Sequence, residues 1–352
     1  MTHRFTLYFI VPFIILSCNN YPDGQISAFD VSGMTSINGE EVCIDTDIMS
    51  PRSLYLFKDR LFLIDKYEDM NVTMISLDDY SSSRVLPSGN GPHEFLRIAS
   101  FHSTIDNTSL GVYDNRKQKY VTYKTEEEYK FSDETLIDEI KVTPIDGTYT
   151  LIPYKDGYIA NGAFDNNMFT YMNMDFSVIN SFGQYPGDNA SQGTHEFFQK
   201  NQTVIHVNHN SCTFVAAGVY NDWLTFYKEV DNRFVLSKEY FTYDSDVTTS
   251  STSIQGITQI SNKENENTVR GYRALCSSSN YIYALYWGIK SVDIGSPNNK
   301  CYILKFTNNG DYINGYIVED LLRYIAVDEE DEYLYAITFS QTENEVLMKY
   351  KL

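Results

Sequence analysis

The sequence predicts an all-β fold, a six-bladed β-propeller with four-stranded antiparallel blades, and three observations lead to it. A two-strand pattern recurs along the chain: a strand, a tight polar turn, and a second, more apolar strand. Equivalent points in the second strands recur at roughly 50 residues, the period of radially repeated blades. The chain also contains 29 Tyr and 21 Phe, which suit half-buried pleated surfaces.

The clearest copy of this pattern is the first. Ser53–Lys58 and Leu61–Asp65 form the strand pair, and Val72–Leu77 is a third strand. The second strand is apolar almost throughout instead of alternating. This pattern is typical of a strand covered on both faces, as it is between two neighbouring blades.

Five further copies follow, and together the six account for the rest of the chain. Their strand pairs are Ile98–Ser103 with Ser109–Asp114, Tyr149–Tyr154 with Gly157–Gly162, Thr203–Val207 with Thr213–Gly218, Tyr272–Ser277 with Tyr281–Gly288, and Arg323–Val327 with Tyr333–Ser340. Seven blades are the alternative, since the interval from Phe214 to Ile282 is long. However, Ser245–Arg270 is rich in Ser, Thr and Asn, and we interpret it as an insertion loop with at most one strand.

The two ends of the chain suggest how the ring closes. The last copy reaches Leu352 with its third strand and has no room for a fourth. We therefore predict that an N-terminal strand, Ile26–Val31, pairs with the last blade and leaves no long open edge. Helical signals are sparse, and Glu134–Ile140 is interpreted as part of an inter-blade loop.

The first residues have the pattern of a secretory signal. Met1–Arg4 is basic and Phe5–Leu16 is almost wholly apolar but too short to span a bilayer comfortably. Ile15-Leu16-Ser17-Cys18 resembles a bacterial lipobox, which implies cleavage before Cys18 and lipid on that cysteine; the alternative is an ordinary signal with an incidental cysteine. Several acyl chains on one residue suffice for stable anchoring.

This interpretation divides the chain into three parts. Residues 1–17 are the lipoprotein signal peptide, residues 18–25 a lipidated tether, and residues 26–352 a single propeller domain. The location that follows is the outer membrane of a Gram-negative bacterium, facing either the periplasm or the surface. The membrane is then a partner through Cys18.

Charge and cysteine content narrow the function classes. A net charge of −20 argues against a general nucleic-acid binder, which needs basic patches against phosphate. The remaining cysteines are widely and irregularly spaced, and free thiols are favoured over disulfides although both stay open. They are Cys43, Cys212, Cys276 and Cys301.

A short connection after the first blade carries a family resemblance. It reads Gly89-Asn90-Gly91-Pro92-His93-Glu94-Phe95 and stands behind a lipobox. This resembles the TolB-like six-bladed propeller lipoproteins of Bacteroidota, whose connection usually reads Gly-x-Gly-Pro-Gly-Glu-Phe/Tyr. His93 takes the place of the last Gly. The resemblance implies the fold and the envelope location, and no settled biochemical activity.

Arginines form the most suggestive site pattern. An Arg precedes the inner strand in four copies, and Tyr149 holds the corresponding place in a fifth; the arginines are Arg52, Arg97, Arg273 and Arg323. Because innermost strands line the channel of a propeller, we expect these side chains to gather at one mouth. There they could bind carboxylates or phosphates bidentately. The alternative is that each Arg pairs with an acid of a neighbouring blade.

Three further residues are candidates for ligand binding: His93 and Glu94 at a channel mouth, and His102 on an inner strand. Glu94 can equally be a structural carboxylate in its turn. His206 and His209 would lie on opposite faces of a strand, so we predict no metal site and no cofactor. No nucleophile, zinc-protease or phosphate-loop motif occurs, and we name no catalytic residue.

These observations predict a monomeric, lipid-anchored envelope propeller that binds a protein partner or an acidic glycan at a channel mouth. An enzymatic role is not favoured and stays open. The alternative function is a propeller hydrolase or lyase that acts on polysaccharide through His102, His206 or Glu94.

Overall fold

A computed structural model describes residues 25–104, 106–125, 129–142, 148–164, 167–185, 195–243, 247–254, 257–339 and 344–352. In this part of the chain, the backbone forms six blades of four antiparallel strands, so the predicted six-bladed propeller is confirmed. Residues 1–24, which include Cys18, lie outside the described residues.

Four short strands precede the first blade: β1 (Gln25–Ile26), β2 (Phe29–Asp30), β3 (Thr35–Ser36) and β4 (Gly39–Val42). The strands of blades 1 to 3 follow in chain order. They are β5 (Pro51–Phe57), β6 (Arg60–Tyr67), β7 (Met70–Ser76), β8 (Ser82–Pro87), β9 (Ile98–Ser103), β10 (Ser109–Asp114), β11 (Lys119–Lys124), β12 (Leu136–Lys141), β13 (Thr148–Tyr154), β14 (Gly157–Gly162), β15 (Phe169–Asn173) and β16 (Val178–Phe182).

One short helix precedes blade 4, and one extra hairpin lies between blades 4 and 5. The elements are α1 (His195–Lys200), β17 (Thr203–Asn208), β18 (Thr213–Gly218), β19 (Leu224–Val230), β20 (Arg233–Tyr240), β21 (Thr248–Ile254), β22 (Ile257–Lys263), β23 (Val269–Ser277), β24 (Tyr281–Lys290), a 3₁₀ turn (Ser291–Asp293), β25 (Cys301–Thr307), β26 (Tyr312–Val318), β27 (Leu322–Val327), β28 (Tyr333–Thr338) and β29 (Leu347–Lys351). None of the helices in the described residues is long and apolar enough to cross a membrane.

The blades are arranged in a closed ring. The innermost strands contact one another in the cyclic order β5, β9, β13, β17, β23, β27 and back to β5. They all run in the same direction along the channel, so one mouth collects their starts and the other their ends. An inner strand of six or seven residues spans about 20 Å, which separates the two mouths by about that distance.

The second strands confirm the apolar pattern that predicted them. Leu61–Ile64 of β6 is at most 4% exposed, and every residue of β14 and β18 is buried. Side chains of neighbouring blades meet between these strands; for example, the Phe62 and Phe101 rings stack with centroids 4.8 Å apart. Burial of apolar surface between blades therefore holds the ring together.

The ring is closed by an N-terminal strand, but not by the segment that the sequence suggested. β4 supplies the fourth strand of the last blade, with Gly39 opposite Tyr350 and Val42 opposite Leu347. The predicted segment Ile26–Val31 instead contains the second residue of β1 and all of β2, and these two strands pair with each other. The Phe29 ring packs against aromatic rings of blades 4 and 5, which explains why this segment is apolar.

Two other sequence interpretations were wrong. Glu134–Ile140 contains most of β12, the outermost strand of blade 2, whose charged side chains are exposed because no blade covers that edge. The insertion Ser245–Arg270 contains a complete hairpin, β21 with β22, and the start of β23. The hairpin is a separate two-stranded sheet and does not make a seventh blade.

Candidate functional site

Five arginines form the cluster here called the arginine mouth (Arg52, Arg97, Arg116, Arg273 and Arg323). Of the four that the sequence placed before inner strands, only Arg97 precedes its strand; the other three lie inside β5, β23 and β27, each where the register with the second strand shifts. Partial loss of solvent around its guanidinium, followed by the neighbouring Arg52 and Arg116 charges, lowers the pKa of Arg97, although the residue as a whole is exposed. Burial likewise lowers the pKa of Arg273, with further contributions from the Arg270 and Arg323 charges. Mutual effects of this kind need guanidinium groups from different blades to lie close together.

Most of these guanidinium groups have no carboxylate partner among the described residues. Arg323 is the exception, since its Nη2 lies 2.7 Å from Glu345 Oε1. The Arg273 guanidinium lies over the Trp287 ring, 4.8 Å from its centroid, and its buried Nε has no hydrogen-bond partner in this part of the chain. Arg52 and Arg97 are exposed and form no ion pair there. In this part of the chain, four of the five guanidinium groups of the arginine mouth therefore have no carboxylate partner, although the protein as a whole is acidic.

Buried aspartates hold the main chain beside these arginines. Asp114, at the end of β10, is fully buried, and its carboxylate accepts the backbone N–H groups of Leu96 (2.6 Å), Arg97 (3.3 Å), Arg116 (2.9 Å) and Lys117 (3.0 Å). The Asp114 carboxylate thus fixes backbone, and it forms no ion pair with Arg97 or Arg116 in the described chain.

Asp65, near the end of the second strand of blade 1, also accepts backbone N–H groups. It accepts the N–H groups of Met49 and Ser50 just before β5, and its Oδ2 also lies 3.1 Å from Arg84 Nη1. Blades 1 and 2 thus each have a carboxylate that accepts the two N–H groups just before the inner strand.

Aromatic and amide side chains complete the arginine mouth. The Tyr149 ring stacks on Phe198 at 4.3 Å, and its hydroxyl accepts a hydrogen bond from Gln199 Nε2 at 2.8 Å. Burial raises the pKa of Tyr324, while the charges of Arg273, Arg323 and Arg52 act in the opposite direction. Tyr324 thus lies within reach of three arginines of the mouth.

His93 and Glu94 do not join this cluster. Glu94 Oε2 accepts the Gly91 N–H at 2.6 Å inside its own turn, and Lys117 Nζ donates to the carbonyls of Gly91 and Glu94. His93 Nε2 lies 2.7 Å from Asp133 Oδ1, and His93 does not adopt a positive φ. Their contacts are those of a structural connection between blades 1 and 2.

The strained position in this connection is Gly89, with φ of 154°. A side chain there would collide with the Glu94 carboxylate, so this Gly is needed for the turn to close. The replacement of the family's last Gly by His93 is therefore compatible with the turn.

His102 lies at the opposite mouth, here called the histidine mouth (Tyr55, His102, His206, His209 and Ser277). These residues line a cavity of about 330 Å³ at the ends of the inner strands, above a smaller space of about 100 Å³ in the channel. Burial lowers the pKa of His102 and His206 to about 3 and of His209 to about 4. All three imidazoles are therefore neutral at pH 7.

The described residues contain no cluster of three or more His, Cys, Asp or Glu side chains that could hold a metal ion. His206 Nε2 instead lies 2.8 Å from Ser277 Oγ. The four cysteines in this part of the chain are free, and Cys276 and Cys301 are buried.

Sequence reasoning missed Arg116, Tyr324 and the two buried aspartates. A signal for the aspartates was present, because the second strands of the first two blades both end in Asp after an apolar run, at Asp65 and Asp114. For Arg116 and Tyr324 no repeat signal exists, since only the ring brings them beside the other arginines.

Comparisons with known proteins agree with the architecture. A family model described as TolB-like 6-blade propeller-like matches residues 35–330. A member of the DUF4221 family from Bacteroides vulgatus superimposes with a TM-score of 0.57 at 10% identity, covering 90% of this chain and 99% of that one. A predicted exported protein from Bacteroides fragilis superimposes with a TM-score of 0.53 at 14% identity, covering 90% and 95%. A search of curated proteins found no match. At these identities the solved structures show the fold alone.

Proposed function

Because the chain belongs to the TolB-like six-bladed propeller family, whose fold mediates interactions, we propose that it is a binding protein of the cell envelope. Its arginine mouth binds a ligand that carries several carboxylates. An acidic glycan supplies such groups, and so does an acidic surface of an envelope protein. The single observation that supports this is the convergence of guanidinium groups without carboxylate partners among the described residues.

The physical argument rests on charge and geometry. Arg presents a planar fork of donors that matches a carboxylate bidentately, and it keeps its charge at all physiological pH values. Like charges repel, so holding several arginines close together costs free energy, even in a chain whose net charge is −20. A polyanionic ligand would remove that cost, and contributions from several blades would add.

The lining of this mouth supports binding over catalysis. Arg, Tyr and amide side chains surround it, including Tyr149 and Gln199, and the nearby Glu345 carboxylate is held in an ion pair by Arg323. No specific observation favours the polysaccharide hydrolase or lyase alternative.

The test is a titration with oligogalacturonate against the neutral galactose oligosaccharide of equal length. We expect the wild type to bind only the acidic probe, and the Arg52→Ala/Arg273→Ala double variant to lose at least about tenfold in affinity. Arg233→Ala, an exposed arginine on the outer strand β20, is the matched control and should bind as the wild type does. Equal binding of both sugars, or an unaffected double variant, would refute a carboxylate site.

A second arm distinguishes the two sources of carboxylate. Polyglutamate carries the same charges on a peptide, so a protein partner predicts that it binds at least as well as oligogalacturonate. We expect the glycan to bind more tightly, because its ring faces can stack on Tyr149 and Tyr324.

We also propose that lipid on Cys18 anchors the protein to the outer membrane. The lipobox-like Ile15–Cys18 supports this, and the likeness to an exported Bacteroides protein is consistent with it. Metabolic labelling with a fatty acid should mark the wild type and not Cys18→Ser. Labelling of the variant, or its unchanged presence in the membrane fraction, would contradict the anchor.

A further inference from the structure

The histidine mouth has a chemistry unlike that of the arginine mouth. Its cavity of about 330 Å³ is at the small end of the range for ligand sites. Hydroxyl, amide and imidazole groups line it, and its two charged side chains, Lys58 and Glu329, have opposite signs. Nothing in this lining selects for net charge.

The imidazoles make the cavity a mixed donor and acceptor surface. A neutral imidazole carries one N–H donor and one acceptor nitrogen. His206 uses Nε2 with Ser277, whereas no protein hydrogen bond to a ring nitrogen of His102 is present in the described chain. His209 Nδ1 is buried and has no partner there. The ring nitrogens of His102 therefore remain available to a ligand in the cavity.

Apolar surface lies beside these polar groups. The Tyr55 ring meets the His102 ring edge to face at 5.7 Å, and Leu56, Phe57 and Val207 also line the cavity. A hydroxylated ring compound presents the complement of this surface, with hydroxyl groups that both donate and accept and C–H faces that pack on aromatic rings.

Hydrogen bonds between blades hold the rim of the cavity in shape. Tyr55 of blade 1 donates to Ser103 Oγ of blade 2 at 2.8 Å, and Asn208 Nδ2 of blade 4 binds the Ser278 carbonyl at 2.9 Å. Ser279 donates its N–H and hydroxyl to Glu329 of blade 6 at 2.9 and 2.6 Å. A preformed rim reduces the entropy cost of binding.

We propose that the histidine mouth is a second binding site, which takes a neutral, hydroxyl-rich ligand of one or two sugar rings. This site is about 20 Å from the arginine mouth at the other end of the inner strands. It does not depend on the function proposed for that mouth.

The experiment uses the full chain in a detergent without a sugar headgroup, titrated with a panel of neutral mono- and disaccharides of glucose, galactose, mannose and xylose. At least one panel member should bind, and Asn210→Trp should reduce its affinity at least tenfold. Asn210 is exposed at the rim, so its replacement blocks the cavity with little effect on the core. His206→Leu, which removes hydrogen-bonding nitrogens from the wall, should weaken the same sugar.

The arginine-mouth double variant Arg52→Ala/Arg273→Ala is the control and should bind the neutral sugar as the wild type does. Failure of every neutral sugar to bind, or full affinity in Asn210→Trp, would overturn the second site. Loss of neutral-sugar binding in the arginine double variant would also overturn it, since both ligands would then share one mouth. Each of these results leaves the oligogalacturonate titration to be judged separately.

Discussion

The carboxylate of Asp114 binds the backbone of Arg97 and not its guanidinium group. Asp114 Oδ1 accepts the Arg97 N–H at 3.3 Å, and Oδ2 accepts the preceding N–H of Leu96 at 2.6 Å. A carboxylate so close to an arginine would ordinarily neutralise it. Here it fixes the chain that carries the side chain, and the charge stays available to a ligand.

This relationship predicts the behaviour of Asp114→Asn. The amide keeps one acceptor oxygen but turns an N–H group toward backbone donors, so the free energy of unfolding should fall by about 1.5–3 kcal/mol. Oligogalacturonate should also bind more weakly, because Arg97 and Arg116 both depend on this carboxylate. Urea denaturation and calorimetric titration measure the two effects.

Asp106→Asn is the matched control, since Asp106 is an exposed turn residue that binds Thr104 and Thr108. It should leave sugar binding unchanged. If Asp114→Asn lost stability but bound oligogalacturonate normally, the positioning role of Asp114 would be wrong.

The closing strand can be tested at Gly39. A Cβ atom there would lie 2.6 Å from ring atoms of the buried Tyr350, so Gly39→Val forces the ring or the strand to move. We expect a loss of about 1–3 kcal/mol in the free energy of unfolding. At Gly33 a Cβ would meet nothing within 4 Å, and Gly33→Val should cost much less. Equal losses in the two variants would argue against β4 as the closing strand.

The histidine mouth predicts acid sensitivity. The pKa values of His102, His206 and His209 are about 3, 3 and 4 in the folded chain, against about 6.5 when unfolded. Below pH 6.5 these imidazoles are therefore protonated in the unfolded chain but still neutral in the folded chain, and the free energy of unfolding falls as the pH decreases. Between pH 6.5 and about 5 most carboxylates are still ionised, so this decrease comes mainly from histidines.

The slope of the unfolding free energy against pH is proportional to the number of protons taken up on unfolding. In His102→Leu this number should be smaller by about one in that pH window, so the slope should decrease accordingly. His195→Gln, at an exposed position in α1, is the comparison variant against which the slope of His102→Leu is judged. Chemical denaturation at pH steps from 7 to 5 measures it. An unchanged slope in His102→Leu would show that this imidazole is already solvated.

Thiol reactivity should follow burial. Cys43 is exposed, Cys212 is half-buried, and burial raises the pKa of Cys301 to about 12 and that of Cys276 further. Since the thiolate is the nucleophile, a maleimide at pH 7.5 should label Cys43 first and Cys276 and Cys301 only after unfolding. Mass spectrometry of timed samples would report the order, and early labelling of Cys301 would contradict the packing of blade 5.

The sequence by itself determined the repeated element. Strand, polar turn and apolar strand are local patterns, so the second strands such as Leu61–Asp65, the blade count and the arginines at the strand starts were all accessible from it. The segment that closes the ring was not, because β4 reads Gly-Glu-Glu-Val, an exposed outer strand with little apolar signal, whereas the apolar Phe29 is buried between other blades.

Only the tertiary structure decided what the site residues can do. Contacts between segments far apart in sequence decide whether an arginine meets a carboxylate. Arg323 pairs with Glu345, whereas Arg273 lies over the Trp287 ring. The same ring placed His102 beside His206 and His209 at the mouth opposite the arginines. Local sequence specifies a blade, but the chemistry of each mouth is made by six blades together, and that arrangement has no local signature.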